Sequence, residues 1–156
     1  MCLIPSVERI LASLPSQSPS SPATNHTTFQ QLPPEYNVIS GHIMKAALQV
    51  HKRLGPGLLE SVYEACMEYE LSKRGLKVRR QVPVPVTYDS FTFEAAYRLD
   101  LLVDEKVIIE VKVLERVLPV HKAQLLTYMK LSGHRLGLLM SFNSALIKEG
   151  VTRMVL

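Results

Sequence analysis

The segment VIIEVKV, residues 107–113, puts the tightest limit on what this chain can fold into. It is too short and too rich in β-branched residues for anything but a strand. Side chains alternate between the two faces of a strand, so Ile109, Val111 and Val113 share one face and Glu110 and Lys112 share the other. The Ile109 face belongs to a core. Two charges in the middle of such a strand are costly unless a compensating partner is present. For the tripeptide alone, a solvated Glu–Lys pair on a half-exposed strand is a better account than a bound cation, because alternation is common.

The preceding segment shifts that balance. Residues 91–103, FTFEAAYRLDLLV, form another strand, and Asp104-Glu105-Lys106 turns the chain between the two. An antiparallel hairpin closing on that turn sets Asp100 opposite Glu110. Two carboxylates facing each other repel, and a shared divalent cation removes the conflict. Residues 77–88, KVRRQVPVPVTY, alternate around Val82, Val84 and Val86. Pro83 and Pro85 lie between them, so this strand has one edge unpaired, and the three strands form a meander.

Two helices precede the meander. From Asn37 to Leu54 the residues Ile39, Ile43, Ala46, Ala47, Val50 and Leu54 recur at helical spacing, and Gly55-Pro56-Gly57 stops the run. A second helix spans about Leu58 to Arg74, with an apolar stripe of Val62, Ala65, Cys66, Tyr69 and Leu71 and Gly75 as its stop. Glu60 falls in its first turn, where an acid also simply favours the helix dipole. Tyr63, three residues on, is more at home in a core. Pro119 opens a third helix to about Ser132, with Gln124 and Tyr128 one turn apart on one face and Leu125, Leu126 and Met129 on the apolar side. Residues 135–142, RLGLLMSF, read as a strand buried on both faces. A short turn or helix (144–149) and a last strand (151–155) finish the order α-α-β-β-β-α-β with a final β piece.

Residues 1–34 differ in kind. PSQSPSSPATNHTTFQQLPP, from residue 15, has little to bury, so 1–34 reads as a disordered Ser/Pro-rich extension and 35–156 as the folded domain. Pro5, Glu8 and Arg9 interrupt the first fourteen residues, which read poorly as a signal peptide. No apolar run approaches the ~20 residues of a membrane span. Two cysteines, Cys2 and Cys66, give no disulfide framework and suit a reducing cytoplasm. The net charge is +4, all of it on residues 35–156, which permits a polyanionic partner. There is no G-x-G-x-x-G, no CxxC and no ligand spacing among the histidines, so nothing points to a redox, transport or zinc protein.

Gly57-Leu58-Leu59-Glu60-Ser61-Val62-Tyr63 fits the signature of the bacterial GxxExxY proteins. The resemblance continues through YRLDLLVD, VIIEVKVLE, PVHKAQLLTYMKLSG and RLGLLMSFN, and covers roughly residues 36–156. That family is similar to the RecB-like branch of the PD-(D/E)XK nuclease superfamily. The resemblance implies an α/β restriction-endonuclease-like core, a mixed central sheet flanked by helices. Carried over residue by residue, it makes Glu60 the helical acid, Asp100 the strand acid, Glu110 and Lys112 the (D/E)-x-K, and Gln124 and Tyr128 the Q-x-x-x-Y. It implies Mg²⁺ or Mn²⁺ on Asp100, Glu110 and the Val111 carbonyl, with Glu60 reaching the ion directly or through water. The expected activity is phosphodiester hydrolysis in nucleic acid, DNA first. Lys112 then positions water or stabilises charge, and serves as a base only if its pKa is strongly lowered. Arg79, Arg80, Lys122, Lys130 and Arg135 are candidate phosphate contacts. A homodimer or partner protein is expected by analogy with enzymes that cut both strands. The competing expectation is a non-catalytic nucleic-acid-binding or protein-interaction module that keeps the fold.

Overall fold

A computed structural model describes residues 32–156. The expectation for residues 1–34, and that for Cys2, therefore falls almost wholly outside the described residues. Helix α1 spans Pro34–Leu54. Pro34 stands in its first turn, where a missing N–H costs nothing, and Glu35 precedes a basic last turn of His51, Lys52 and Arg53 that complements the helix dipole. Ile39, Ile43, Ala46, Ala47 and Val50 are buried as their spacing requires. Leu54 is not; it is 40% exposed, because the chain is already turning into Gly55.

Helix α2 spans Glu60–Ser72 and starts two residues later than the spacing predicts. Its buried face is Tyr63, Glu64, Met67, Glu70 and Leu71, while Val62, Ala65 and Tyr69 are exposed. The predicted stripe is thus rotated away from the real one. The cause is electrostatic pairing: Glu70 lies within 2.6 Å of Arg74, with Lys73 and Arg53 close by, and Glu64 is paired with Arg80 at 3.5 Å. Once paired, these acids can be buried beside Met67, a choice that a hydrophobicity pattern does not register.

Strands β1 (Val78–Tyr88), β2 (Phe91–Val103) and β3 (Val107–Lys112) form the meander. Helix α3, Pro119–Ser132, crosses to β4, Leu136–Ser141, which lies parallel to β3. A 3-10 turn, Ile147–Gly150, leads into β5, Val151–Val155, antiparallel to β4. The sheet order is β1-β2-β3-β4-β5, so the sheet is mixed and its one parallel pair is bridged by α3. Helices α1 and α2 cover one face over Leu101, Val103, Val107, Ile109, Val111, Leu136, Leu138 and Met140. Helix α3 covers the other, where Leu125 and Met129 meet Ile108, Leu139, Leu102 and Leu99. Every residue of β4 is buried, as expected of a strand between two helical layers.

The β1–β2 ladder runs from Val78↔Val103 to Val84↔Tyr97 in one register, and Gln81 and Asp100 are the opposed residues missing from it. Gln81 has φ +51°, in the left-handed region. The faces exchange there. Strict alternation groups Leu99 with Leu101, yet Leu99 joins the α3 side, and Val82 and Val84 leave the α1–α2 side on which Val78 packs. Beyond this break the two strands continue as a ribbon whose outer part, Phe91–Ala96, is exposed.

Helix α3 comes closest to the sheet at Gly137, where a Cβ would stand 2.7 Å from Met129 Sδ and 2.9 Å from Leu125 Cδ1. Gly137→Val is expected to destabilise the fold by about 1–3 kcal/mol through overpacking. Gly41→Ala, on the exposed side of α1 with nothing within 4 Å, should leave stability equal or raise it by up to ~1 kcal/mol. Urea unfolding of both variants checks this pair; equal midpoints would show that Gly137 is not a close approach.

Candidate active site

The turn at 104–106 fixes what converges on Glu110. Asp104 and Glu105 both take positive φ, +50° and +53°, and the Asp104 carboxylate accepts the Lys77 N–H at 2.8 Å, which locks the corner. The ladder Val103↔Val107, Leu102↔Ile108, Leu101↔Ile109 follows, the register that sets Asp100 against Glu110. At the next step the ladder gives way to a side chain. Asp100 Oδ2 accepts the Val111 N–H at 2.9 Å, so the acid is tied to the strand that carries Glu110 and Lys112.

Glu110 is only 3% exposed. Its Oε1 accepts from Lys112 Nζ at 3.0 Å, and its Oε2 is buried with no hydrogen-bond partner among the described residues. Burial, with the Asp100 charge added, pushes Glu110 up to about 7. Burial also raises Asp100, against the pull of the Val111 N–H and Lys112. For Lys112, burial alone would lower the pKa, but the attraction of Glu110, joined by Asp100 and Glu60, holds it above its ordinary value. That direction is opposite to the one a general base at this position requires.

Glu60 arrives from the far side of the sheet. The bend before α2 uses Gly57 at φ +99°, a conformation suited to glycine. Tyr63 holds the bend by donating to the Gly55 carbonyl at 2.6 Å and accepting the Leu58 N–H at 3.2 Å, while its ring stacks on Phe142 at 4.4 Å. Glu60, at the helix start, then accepts the Val113 N–H at 3.3 Å just past the end of β3. Each lettered position of GxxExxY thus contributes separately. The glycine makes the bend, the tyrosine holds it, and the glutamate is delivered to the end of β3.

Gln124 donates to Tyr128 Oη at 2.6 Å on α3. Burial and the Glu110 charge raise the Tyr128 pKa, so this phenol stays neutral beside the carboxylates. Tyr97 stacks on Tyr128 at 4.0 Å and donates to its backbone carbonyl at 3.2 Å. Asp100, Glu110, Lys112, Glu60 and Tyr128 therefore share one electrostatic neighbourhood.

Of the candidate phosphate contacts, Arg79 and Arg80 are engaged by acids. Arg79 pairs with Glu105 at 3.1 Å, and Arg80 lies 3.5 Å from both Glu64 and Glu68. Arg135 precedes Leu136, which pairs with Val107, at the end of the sheet away from Lys112. Lys122 and Lys130 are exposed on α3. The sequence pattern did not single out Glu64, Gln81 or Ser141. Glu64 stands one helical turn after Glu60, a spacing that could have marked it. Ser141 donates to the Leu114 carbonyl at 2.6 Å and accepts the Leu114 N–H at 3.2 Å, fixing the chain beyond Lys112; nothing in the sequence marks it.

The donor set fits a hard divalent cation. It consists of oxygens, and the buried Glu110 Oε2 has no hydrogen-bond partner among the described residues. Among the described residues no three His, Cys, Asp or Glu side chains stand together as a cage. Glu60 stands at the end of β3 through its bond to the Val113 N–H. Two carboxylates suit an ion that keeps several waters.

The mixed sheet thus carries an acid on one hairpin strand and an acid and a lysine on the next. The family model of the PD-(D/E)XK nuclease superfamily matches residues 37–154, and the chain belongs to that superfamily. No curated protein and no solved structure matches it.

The Glu110 shift predicts a pH dependence of stability in metal-free protein. Its folded pKa, about 7, lies above the ordinary 4.5, so the folded state binds the proton more tightly. The resulting stabilisation is full below about 4.5 and is lost as pH rises through about 7. The amount is on the order of 3 kcal/mol. Glu110→Gln, which carries no proton to lose, should flatten this slope and be more stable than wild type at pH 8 without metal. Urea midpoints between pH 5 and 8 measure it; parallel slopes for the two proteins would contradict the shift.

Proposed function

We propose that the chain is a GxxExxY-type, Mg²⁺- or Mn²⁺-dependent phosphodiesterase that hydrolyses nucleic acid, with DNA as its substrate. The observation that carries this reading is the buried Glu110 Oε2 without a partner, on the strand to which the Asp100 carboxylate is tied. Asp100, Glu110 and the Val111 carbonyl would hold the ion, and Glu60 would act through water from the end of β3. The bound ion supplies positive charge that eases attack on phosphorus and lowers the pKa of the attacking water.

The remaining groups bind and orient. Lys112, kept an ammonium by its acidic neighbours, lies beside the metal-holding carboxylate and stabilises the charge that grows on the phosphate oxygens. Gln124 orients phosphate or water, and Tyr128 supports it through their 2.6 Å hydrogen bond. Lys122 and Lys130, exposed on the same helix, take the flanking phosphates. No helix among the described residues is long and apolar enough to cross a membrane, and the free Cys66 suits a reducing cytoplasm. A second copy or a partner protein supplies the target recognition that a domain of this size has little room for.

Purified protein with Mg²⁺ or Mn²⁺ should cut at least one of linear, nicked, branched or single-stranded DNA, and chelation should stop it. Lys112→Ala should lower the rate by about 100-fold or more with little change in metal affinity. Binding of DNA with no cleavage and no metal dependence would instead establish the non-catalytic module.

A further inference from the structure

Asp100 makes a second hydrogen bond that the superfamily motif does not contain. Gln81 Nε2 donates to Asp100 Oδ1 at 3.3 Å and to Glu64 Oε2 at 2.9 Å. One amide nitrogen has two hydrogens, and here each goes to a different carboxylate. The amide cannot turn over, because its oxygen would then face two acceptors. With Val111 N–H on Oδ2 and Gln81 on Oδ1, both oxygens of Asp100 are held, and the plane of the carboxylate is fixed.

Gln81 reaches this position by an unusual route. Its φ of +51° is uncommon for a non-glycine residue within a strand. It sits at the gap in the β1–β2 ladder, directly opposite Asp100, where the two strands exchange faces. Unfavourable backbone of this kind persists where surrounding contacts over-determine it, and it clusters at functional sites. The surroundings here are Glu64, only 5% exposed, and Arg80, which lies 3.5 Å from it. The path runs from Arg80 through Glu64 and Gln81 to Asp100 and so joins α2, β1 and β2.

We propose that Gln81 is a positioning residue for Asp100, with Glu64 as its anchor. This rests on the metal-dependent reading above. A neutral amide suits the role. It orients the carboxylate without cancelling the negative charge that a cation needs, whereas a lysine or arginine at position 81 would compete with the ion. Glu64 supplies the opposing acceptor, and Arg80 lets its charge stay buried. The consequence is an acid presented in one orientation before any ion arrives.

The test uses the full chain. Gln81→Gly removes the amide and relieves the left-handed backbone, so thermal stability should stay equal or rise. Gln81→Glu keeps the size and replaces the donor with a third carboxylate. In both variants without metal, hydrogen exchange at the Val111 N–H should accelerate at least about tenfold, since its acceptor is no longer held. Mn²⁺ affinity by calorimetry should fall about 10- to 100-fold, and cleavage should fall with it while KM for DNA stays the same. Unchanged Val111 exchange and unchanged Mn²⁺ affinity in a stable Gln81→Gly protein would overturn the proposal. So would activity losses that merely track stability. A wild type that neither binds Mn²⁺ nor cuts any substrate overturns the metal reading itself; the Val111 measurement, which needs no ion, tells the two failures apart.

Discussion

The hydrogen bond from the Val111 N–H to the Asp100 carboxylate joins two things that a sheet normally keeps apart: the ladder that builds it and the chemistry at its end. Where the β2–β3 pairing would continue past Leu101↔Ile109, a side chain takes over the backbone donor. This accounts for a buried polar group, and it also brings a second acid to Glu110. The two acids burden the fold, since burial raises the pKa of both, and the Asp100 charge adds to the rise at Glu110. Lys112 relieves part of that burden and Glu110 Oε2 keeps the remainder. Instability is thus concentrated where a cation would remove it, a common arrangement at sites that bind ions.

Much of this arrangement could be read from the residues in order. The β2–β3 register follows from the turn at Asp104-Glu105-Lys106, because a short hairpin leaves the pairing few alternatives. Pro119 and Gly133 mark the ends of α3, the one by its fixed φ and the other by its left-handed C-cap at φ +72°. The 136–140 run, without a polar side chain, announces a strand between two layers. Helix α2 shows where such reading stops. Its inward face carries Glu64 and Glu70, and hydropathy alone turns that face outward. Knowing that they are buried requires knowing that Arg80 lies on β1 and Arg74 one turn ahead, and the first of these is a tertiary fact. Gln81 is further from view, since neither its backbone conformation nor its opposition to Asp100 is encoded in a local pattern. The same holds for the candidate phosphate contacts: charge identifies Arg79 and Arg80, but only the fold reveals that acids already engage them.

The GxxExxY segment illustrates how a short motif can be mechanical in most of its letters. Tyr63 touches none of the acids directly in the hydrogen-bond network, yet it determines where Glu60 can be, since it ties the bend to the start of α2 and packs on Phe142.

Pro83 and Pro85 lie two residues apart on the outer strand of the sheet, beside the register shift between Val84 and Val86. An unpaired strand edge is ordinarily a template on which a foreign strand can be copied. Here two residues of the outer strand have no N–H to offer. The long ribbon of β1 and β2 can therefore extend into solvent as a finished border, with growth of the sheet stopped on that side by chemistry alone.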